Sequence, residues 1–163
     1  MALIVLFVVV ILGDQLLKHY ILSNFAVGEA MPFIPNVLQL THFRNTGMAF
    51  GFLRDHQWIL LVVTPVLLLA LGVLLFRNVV AHPLQRLAAV AVMAGGLSNW
   101  IDRILHGFVV DMFEPIFINF AVFNIADTFI VLGGFTWAIS FFIEERRKDK
   151  AAEQLPPTES ADD

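Results

Sequence analysis

The side chains best suited to chemistry lie in residues 95–127, a stretch rich in polar residues between two long apolar runs. The spacing i, i+3, i+4 and i+7 puts four of them on one face of a helix: Asn99, Asp102, Arg103 and His106. Asn124 and Asp127 repeat the i, i+3 spacing further along the chain, and Asp111 lies between the two groups. Ionisable residues inside apolar segments indicate a functional site by default. The alternative is an internal salt-bridge layer between packed membrane helices.

Two carboxylates, Asp111 and Asp127, are the best candidates for catalysis. Asp127 begins a predicted helix and Asp111 lies in the adjoining loop, so the two side chains can converge. Two carboxylates in a low-dielectric site do not both ionise cheaply, so their pKa values separate and the pair shares a proton. One can then act as a base toward water while the other polarises a carbonyl, as in aspartic proteases. Asp102, which is next to Arg103, fits a structural role better.

The sequence offers little for other chemistries. The chain has no cysteine, which excludes thiol nucleophiles, disulfides and cysteine-ligated metal. The five histidines are scattered and match no metal-ligand spacing, and no Gly-x-Ser-x-Gly nucleophile elbow occurs. The formal charge of −4 gives no reason to expect a nucleic-acid partner.

The elements that hold these residues are predicted to be membrane helices. The chain has 163 residues, 58% of them hydrophobic and 15% charged, and a soluble domain of this size could not bury so much apolar surface. We predict an α-helical integral membrane protein with one domain over residues 1–143. Its four transmembrane helices are expected at about 2–22, 58–76, 87–105 and 121–143, with a kink at Pro65. Residues 144–163 are predicted to form a charged, disordered cytoplasmic tail.

Residues 23–57 differ in kind from the helices. Pro32, Pro35 and Gly28 are typical of turns, and residues 37–43 partly alternate in polarity, which favours a strand. We therefore predict a small amphipathic sheet that lies on the membrane surface between the first two helices. Residues 106–120 are predicted to form a second loop.

Charge and depth predict how the helices are oriented. Six of the ten basic residues fall on one side of the predicted membrane: Arg77, Arg86, Arg146, Arg147, Lys148 and Lys150. The positive-inside rule then puts both termini in the cytoplasm. Asp14, Asp102 and Asp127 each lie roughly 20–25 Å along a helix from its cytoplasmic end, at about 1.5 Å per residue. All three fall in one layer near the outer surface, which indicates a site at that depth.

Two other functional classes fit parts of the pattern. An ion- or proton-coupled transporter could use Asp14, Asp102 and Asp127 as a relay, although the cytoplasmic halves of the helices carry no ionisable residue to continue it. A structural membrane protein would use the polar layer only to fix helix packing and would tolerate Asp111→Asn. Asp14 and Lys18, spaced i, i+4, could also form a simple intrahelical ion pair.

Five blocks of the sequence, in order, resemble a known family. They are Asp14-Gln15-x-x-Lys18, Arg44-Asn45-Thr46-Gly47-x-Ala49-Phe50-Gly51, Gly95-Gly96 through Asn99-x-x-Asp102-Arg103, Gly107-x-Val109-Val110-Asp111 and Phe123-Asn124-x-Ala126-Asp127. Together they resemble lipoprotein signal peptidase, or signal peptidase II, a family of bacterial membrane aspartic proteases. One block alone would be weak support, but five in order are highly specific. The resemblance extends to about residue 143.

The resemblance implies roles for particular residues. The family's catalytic aspartates fall on Asp111 and Asp127. Its substrate-binding residues fall on Asn45, Asn99, Arg103 and Asn124, and its structural or supporting positions fall on Asp14, Lys18, Gly47 and Asp102. The fold that it implies has four transmembrane helices and a periplasmic β-cradle between the first two.

The resemblance also implies an activity. The enzyme would remove signal peptides from prolipoproteins by cutting just before a diacylglyceryl-modified cysteine, with no metal and no cofactor. We expect a multi-pass monomer in the bacterial inner membrane, in contact with membrane lipid and inhibited by globomycin-type cyclic peptides. Two departures from the family pattern stand out. Ser98 adds a side chain where glycine is usual at a close-packed point, and Glu114 is a third carboxylate expected near the catalytic pair.

Overall fold

The computed structural model describes residues 1–47 and 56–153, with side chains described as far as Arg147. Ala49, Phe50 and Gly51 of the second sequence block, and residues 154–163 of the predicted tail, lie outside the described residues. The elements follow the order α1 (Ala2–Asn24), β1 (Ala30–Ile34), β2 (Leu38–Asn45), α2 (Gln57–Phe76), α3 (Pro83–His106), β3 (Val109–Pro115) and α4 (Ile125–Glu153).

Three of the described helices, α1, α2 and α4, are long and apolar enough to cross a membrane. The helix α3 is the exception, and it packs against each of the other three. A helix enclosed by protein needs fewer apolar side chains than one that faces lipid, so the central position of α3 is compatible with its polar residues. Pro83 is its first residue, where the missing proline N–H costs no hydrogen bond. Gly107 ends it in the left-handed conformation.

Glycines allow α3 and α4 to pack closely. A Cβ atom at Gly95 would overlap the carbonyl oxygen of Ala126 and lie 2.8 Å from Cγ1 of Ile130. A Cβ atom at Gly133 of α4 would lie 2.8 Å from the carbonyl oxygen of Ala88. The two helix backbones therefore approach each other at two levels where no other residue type fits without displacement.

The predicted boundaries of α4 were wrong at both ends. The helix begins at Ile125 and not at residue 121, because Asn124 caps it. It also continues to Glu153 through the first part of the predicted disordered tail. Residues 144–150 carry acidic side chains followed by basic ones at helical spacing, a pattern that stabilises helices.

The prediction of a second loop at residues 106–120 was also wrong, since Val109–Pro115 forms the strand β3. The sheet is antiparallel, with the order β1-β2-β3. The predicted strand at 37–43 corresponds to β2, which pairs with β3 so that Phe43 lies opposite Asp111. The register shifts between Leu40 and Phe43. The sheet packs on the end of α1 through a small apolar cluster: Ile21, Phe25, Leu40, Val110 and Met112.

Candidate active site

Asp127 belongs to a reciprocal cap at the start of α4. The Asn124 side chain accepts a hydrogen bond from the backbone N–H of Asp127 at 2.8 Å. The Asp127 carboxylate in turn accepts one from the backbone N–H of Asn124 at 3.3 Å. This is the geometry of a capping box, which satisfies two N–H groups that a helix start leaves free. The cap fixes the Asp127 carboxylate at the first turn of the helix, close to the end of the sheet.

Asp111 approaches from β3 and is fully buried. One of its carboxylate oxygens accepts a hydrogen bond from the Asn45 amide at 2.9 Å, and the other accepts one from the Asn124 amide at 2.6 Å. Burial, followed by the nearby charge of Asp127, raises the pKa of Asp111 to about 7, although the amides oppose this shift. A carboxyl with a pKa near neutrality can exchange its proton at ordinary pH.

Two asparagines connect the carboxylates. The Asn124 amide nitrogen donates to Asp111 while its oxygen accepts from the backbone of Asp127. Asn99 of α3 donates at 2.8 Å to the Asp127 carboxylate oxygen that does not bind the backbone N–H of Asn124. The Asn99 oxygen lies 3.0 Å from the Asn124 amide nitrogen. The side chains from α3, β3 and α4 therefore form one continuous hydrogen-bonded group.

A buried ionic cluster, formed by Asp14, Lys18 and Asp102, supports this group from α1 and α3. The Lys18 ammonium lies 2.7 Å from Asp14 and 2.9 Å from Asp102. Its third partner is the Asn99 oxygen at 2.8 Å. Lys18 therefore has an acceptor for each of its three N–H groups. The Asp14–Lys18 contact is part of a network that joins three elements, and is more than the simple intrahelical pair considered from the sequence.

The two aspartates of the ionic cluster also bind backbone groups of distant elements. Asp14 accepts from the backbone N–H of Ala126 at the start of α4, at 2.9 Å. Asp102 accepts from the backbone N–H of Val110 in β3, at 3.0 Å. Each N–H is next to a member of the Asp111–Asp127 pair in the chain. The ionic cluster thus holds the two backbones that carry the pair.

Ser98, the departure from the family pattern at a close-packed point, fits into the contact between α1 and α3. Its side chain is fully buried, and its hydroxyl donates to Asp14 at 2.7 Å. Gln15, to which the sequence assigned no role, donates to the Ser98 hydroxyl at 3.0 Å and to Asp102 at 2.8 Å. The hydroxyl is therefore part of the contact between the two helices.

A cavity of about 340 Å³ opens beside Asp127, between α2, α3 and α4. Asn45, Asn99 and Arg103 contribute polar groups to its lining, and most of the remaining lining is apolar. The Arg103 guanidinium donates to the carbonyl oxygens of Asn99 and of Gly47, at 3.2 and 2.9 Å. Its Nε is buried and has no hydrogen-bond partner among the described residues. The cavity therefore combines an apolar surface with a few polar groups beside a carboxylate, as ligand sites do.

Two residues that the sequence associated with the site lie away from it. His106, at the end of α3, is exposed, and its ring lies against Phe108. Glu114 is three residues after Asp111 in β3, so strand alternation directs it to the opposite face. Its carboxylate is bound by Gln39 across the sheet at 2.7 Å. Among the described residues, no group of three histidine, aspartate or glutamate side chains could hold a metal ion.

Comparison with known proteins gives a consistent result. A family model described as signal peptidase (SPase) II matches residues 6–143. A lipoprotein signal peptidase of Streptococcus pneumoniae is 39% identical over 145 residues, which cover 88% of this chain and 95% of that protein. One from Latilactobacillus sakei is 37% identical over 143 residues, with the same coverage. A solved bacterial membrane enzyme at 2.3 Å resolution is similar with a TM-score of 0.86 and 31% identity, over 90% of this chain and 91% of that one.

Proposed function

The chain belongs to the signal peptidase II family, proteases that remove signal peptides from prolipoproteins, and we propose that Asp111 and Asp127 are its catalytic pair. The observation that carries this proposal is their shared partner. Asn124 donates from its amide nitrogen to Asp111 and accepts on its amide oxygen from the backbone of Asp127. An amide that bonds to both of these segments keeps the two carboxyl groups close together, as the shared proton of an aspartic-protease dyad requires.

In the proposed mechanism, the Asp127 carboxylate is the base, because it lines the cavity. It takes a proton from water, and the hydroxide that forms bonds to the carbon of the scissile carbonyl. Protonated Asp111 gives its proton to the carbonyl oxygen, which completes a neutral gem-diol. The C–N bond then breaks, the leaving amine takes the proton from Asp127, and a gem-diol hydroxyl returns one to Asp111. The raised pKa of Asp111 supports its role as the acid.

The substrate would be a prolipoprotein that carries diacylglyceryl on a cysteine, and the cut would fall just before that cysteine. We propose that its backbone binds to polar groups that line the cavity, from Asn45, Asn99 and Arg103. Asn124, predicted from the resemblance as a fourth substrate-binding residue, is fully buried and would instead position the two aspartates. Of the groups that line the cavity, the Arg103 Nε is the best placed, since it is a buried donor that has no acceptor in the described part of the chain. The apolar lining from α2 and α4 suits acyl chains. A globomycin-type peptide would compete for the same cavity.

We propose that all four helices span the inner membrane and that both termini are cytoplasmic. The sheet and the active site then lie at the outer leaflet, where a lipid-modified cysteine is held by its acyl chains. The chain would act as a monomer, since one copy supplies both aspartates and the three asparagines that bind them. Residues 1–143 would form the catalytic domain, and the segment after them would be a cytoplasmic extension.

The absence of cysteine from the chain allows a direct test of this orientation. A single cysteine at Val37, in the sheet region, should react with a membrane-impermeant maleimide in intact spheroplasts. A cysteine at Val79, between α2 and α3, should react only after permeabilisation. Both native side chains are exposed, at 43% and 66%, so accessibility within the fold does not limit either reaction. The reverse labelling pattern would refute the proposed orientation.

Cleavage of a diacylglyceryl-modified prolipoprotein by the purified protein in detergent tests the catalytic proposal. Asp111→Asn and Asp127→Asn should each abolish cleavage, because an amide cannot take up or release the proton. Glu114→Gln is the matched control, since it makes the same chemical change on the opposite face of β3, and it should keep activity. Globomycin should block the wild-type reaction. Activity in a folded Asp127→Asn variant would refute the proposal.

A further inference from the structure

Pro65 leaves one backbone carbonyl of α2 without its usual partner. Proline has no N–H, so the carbonyl of the residue four positions earlier, Leu61, loses its hydrogen bond within the helix. In a membrane such a group must find another donor. Trp100 of α3 provides one, since its indole Nε1 donates to the Leu61 carbonyl oxygen at 3.0 Å. This side-chain hydrogen bond joins α2 to α3 at the position of the proline.

The hydrogen bond lies next to the candidate active site. Trp100 follows Asn99, whose side chain binds Asp127. Leu60 and Thr64, on either side of Leu61 in α2, line the cavity beside Asp127. Residues 57–64, the part of α2 before the proline, therefore form one side of the cavity. A proline within a helix is also the usual position of a bend, so the orientation of this segment depends on contacts beyond its own backbone.

We propose that Trp100 is a positioning residue that holds residues 57–64 of α2 against the substrate cavity through the Leu61 carbonyl. The inference rests on the proposed peptidase function of the site and adds a determinant of substrate binding to it. Trp100 does not act on the reacting atoms. Its indole N–H fixes the distance between α2 and α3, and hence the width of the cavity between α2 and α4.

The expected effect is on substrate binding. Without the indole N–H, the Leu61 carbonyl is left unpaired and the segment before Pro65 can move away from α3. Substrate and transition state both contact this side of the cavity, so both should bind more weakly. Such uniform weakening raises KM and leaves kcat nearly unchanged. Loss of one hydrogen bond to a buried acceptor corresponds to about a tenfold decrease in kcat/KM.

Two substitutions and their combination test the proposal. Trp100→Phe removes the N–H and keeps an aromatic ring. Pro65→Ala restores a backbone N–H at residue 65, which can bond to the Leu61 carbonyl within α2 and makes the indole N–H unnecessary. Trp137→Phe, in α4, is the control for loss of a tryptophan elsewhere. For all of these and the wild type, kcat and KM would be measured with a diacylglyceryl-modified prolipoprotein, together with unfolding temperatures in detergent.

Trp100→Phe should raise KM about tenfold with Pro65 present and about twofold or less with Pro65→Ala. If Trp100→Phe does not fold, recovery of a folded, active protein by Pro65→Ala gives the same support. An equal loss in both backgrounds, no loss in either, or failure of both to fold would overturn the proposal. So would a decrease confined to kcat. A wild type that does not cleave would instead refute the proposed function. In that case the unfolding temperatures of the same variants would still show whether Trp100 and Pro65 compensate for each other.

Discussion

Replacement of Lys18 by methionine should both destabilise the protein and inactivate it. Lys18 is 1% exposed, and its ammonium is bound to Asp14, Asp102 and Asn99 at 2.7, 2.9 and 2.8 Å. Methionine keeps much of the apolar length of lysine but leaves two buried carboxylates without their cation. Removing one partner from a buried ionic group costs about 3–5 kcal/mol. That is a large part of a typical unfolding free energy of about 5–15 kcal/mol.

The free energy of unfolding in detergent, followed by tryptophan fluorescence, would measure this loss. Arg147→Met removes an exposed cation and should change stability by less than about 0.5 kcal/mol. Asp102→Asn in the Lys18→Met background removes one of the two uncompensated carboxylates. The double variant should therefore be more stable than the sum of the single effects predicts, by about 1–3 kcal/mol.

Lys18→Met should also reduce cleavage of the prolipoprotein. Lys18 binds the Asn99 oxygen, which directs the Asn99 amide nitrogen toward Asp127. Without the lysine, the Asn99 oxygen keeps only the Asn124 amide as a donor among the described residues, so the Asn99 amide is held less firmly against Asp127. The stability reasoning would be refuted if Lys18→Met lowered the free energy of unfolding by less than about 1 kcal/mol, or if its effect and that of Asp102→Asn were additive. Either result would mean that Lys18 does not compensate the two carboxylates.

Three further predictions follow from the packing and the charges of the site. Gly95→Ala should destabilise the protein by about 1–3 kcal/mol or more, whereas Gly134→Ala, where nothing lies within 4 Å of the added Cβ, should not; equal unfolding temperatures would contradict the close packing of α3 and α4. Ser98→Ala removes the hydrogen bond to the Asp14 carboxylate and should cost about 1.5–3 kcal/mol; a stability unchanged in chemical denaturation would exclude that contribution. Because the pKa of Asp111 is raised to about 7, its acid form is lost as the pH rises, and kcat/KM should fall about tenfold per pH unit above that value; a profile flat through alkaline pH would refute Asp111 as the acid.

The helices and the family could be inferred from the sequence because both depend on local patterns. Long apolar runs identify α1, α2 and α4, and the five ordered blocks identify the family, which excludes the transporter and scaffold alternatives. The start of α4 could also have been found, since Asn124 and Asp127 have the spacing of a capping box. Apolar content alone puts the boundary at residue 121.

The features that the sequence did not predict depend on contacts between distant residues. The strand β3 forms because β2 is available to pair with it, with partners 64 to 77 positions earlier in the chain (Asn45 with Val109, Leu38 with Pro115), and no local alternation reveals that pairing. The roles of Ser98 and Gln15 arise only when α1 lies against α3. In the same way, neither Pro65 nor Trp100 indicates by itself that one compensates for the other. Glu114 was expected near the catalytic pair because sequence distance does not distinguish the two faces of a strand.

The contact between Asp14 and Ala126 has a consequence for how the protein is made. These residues are 112 positions apart, so α1 leaves the ribosome long before its partner at the start of α4 exists. During that interval the i, i+4 contact of Asp14 with Lys18 allows the two charges to neutralise each other within a single helix. Asp102 arrives later with α3, and the backbone of α4 arrives last. Translation must therefore reach the fourth helix before the proposed peptidase site can form, and we expect an incomplete chain in the membrane to be inactive.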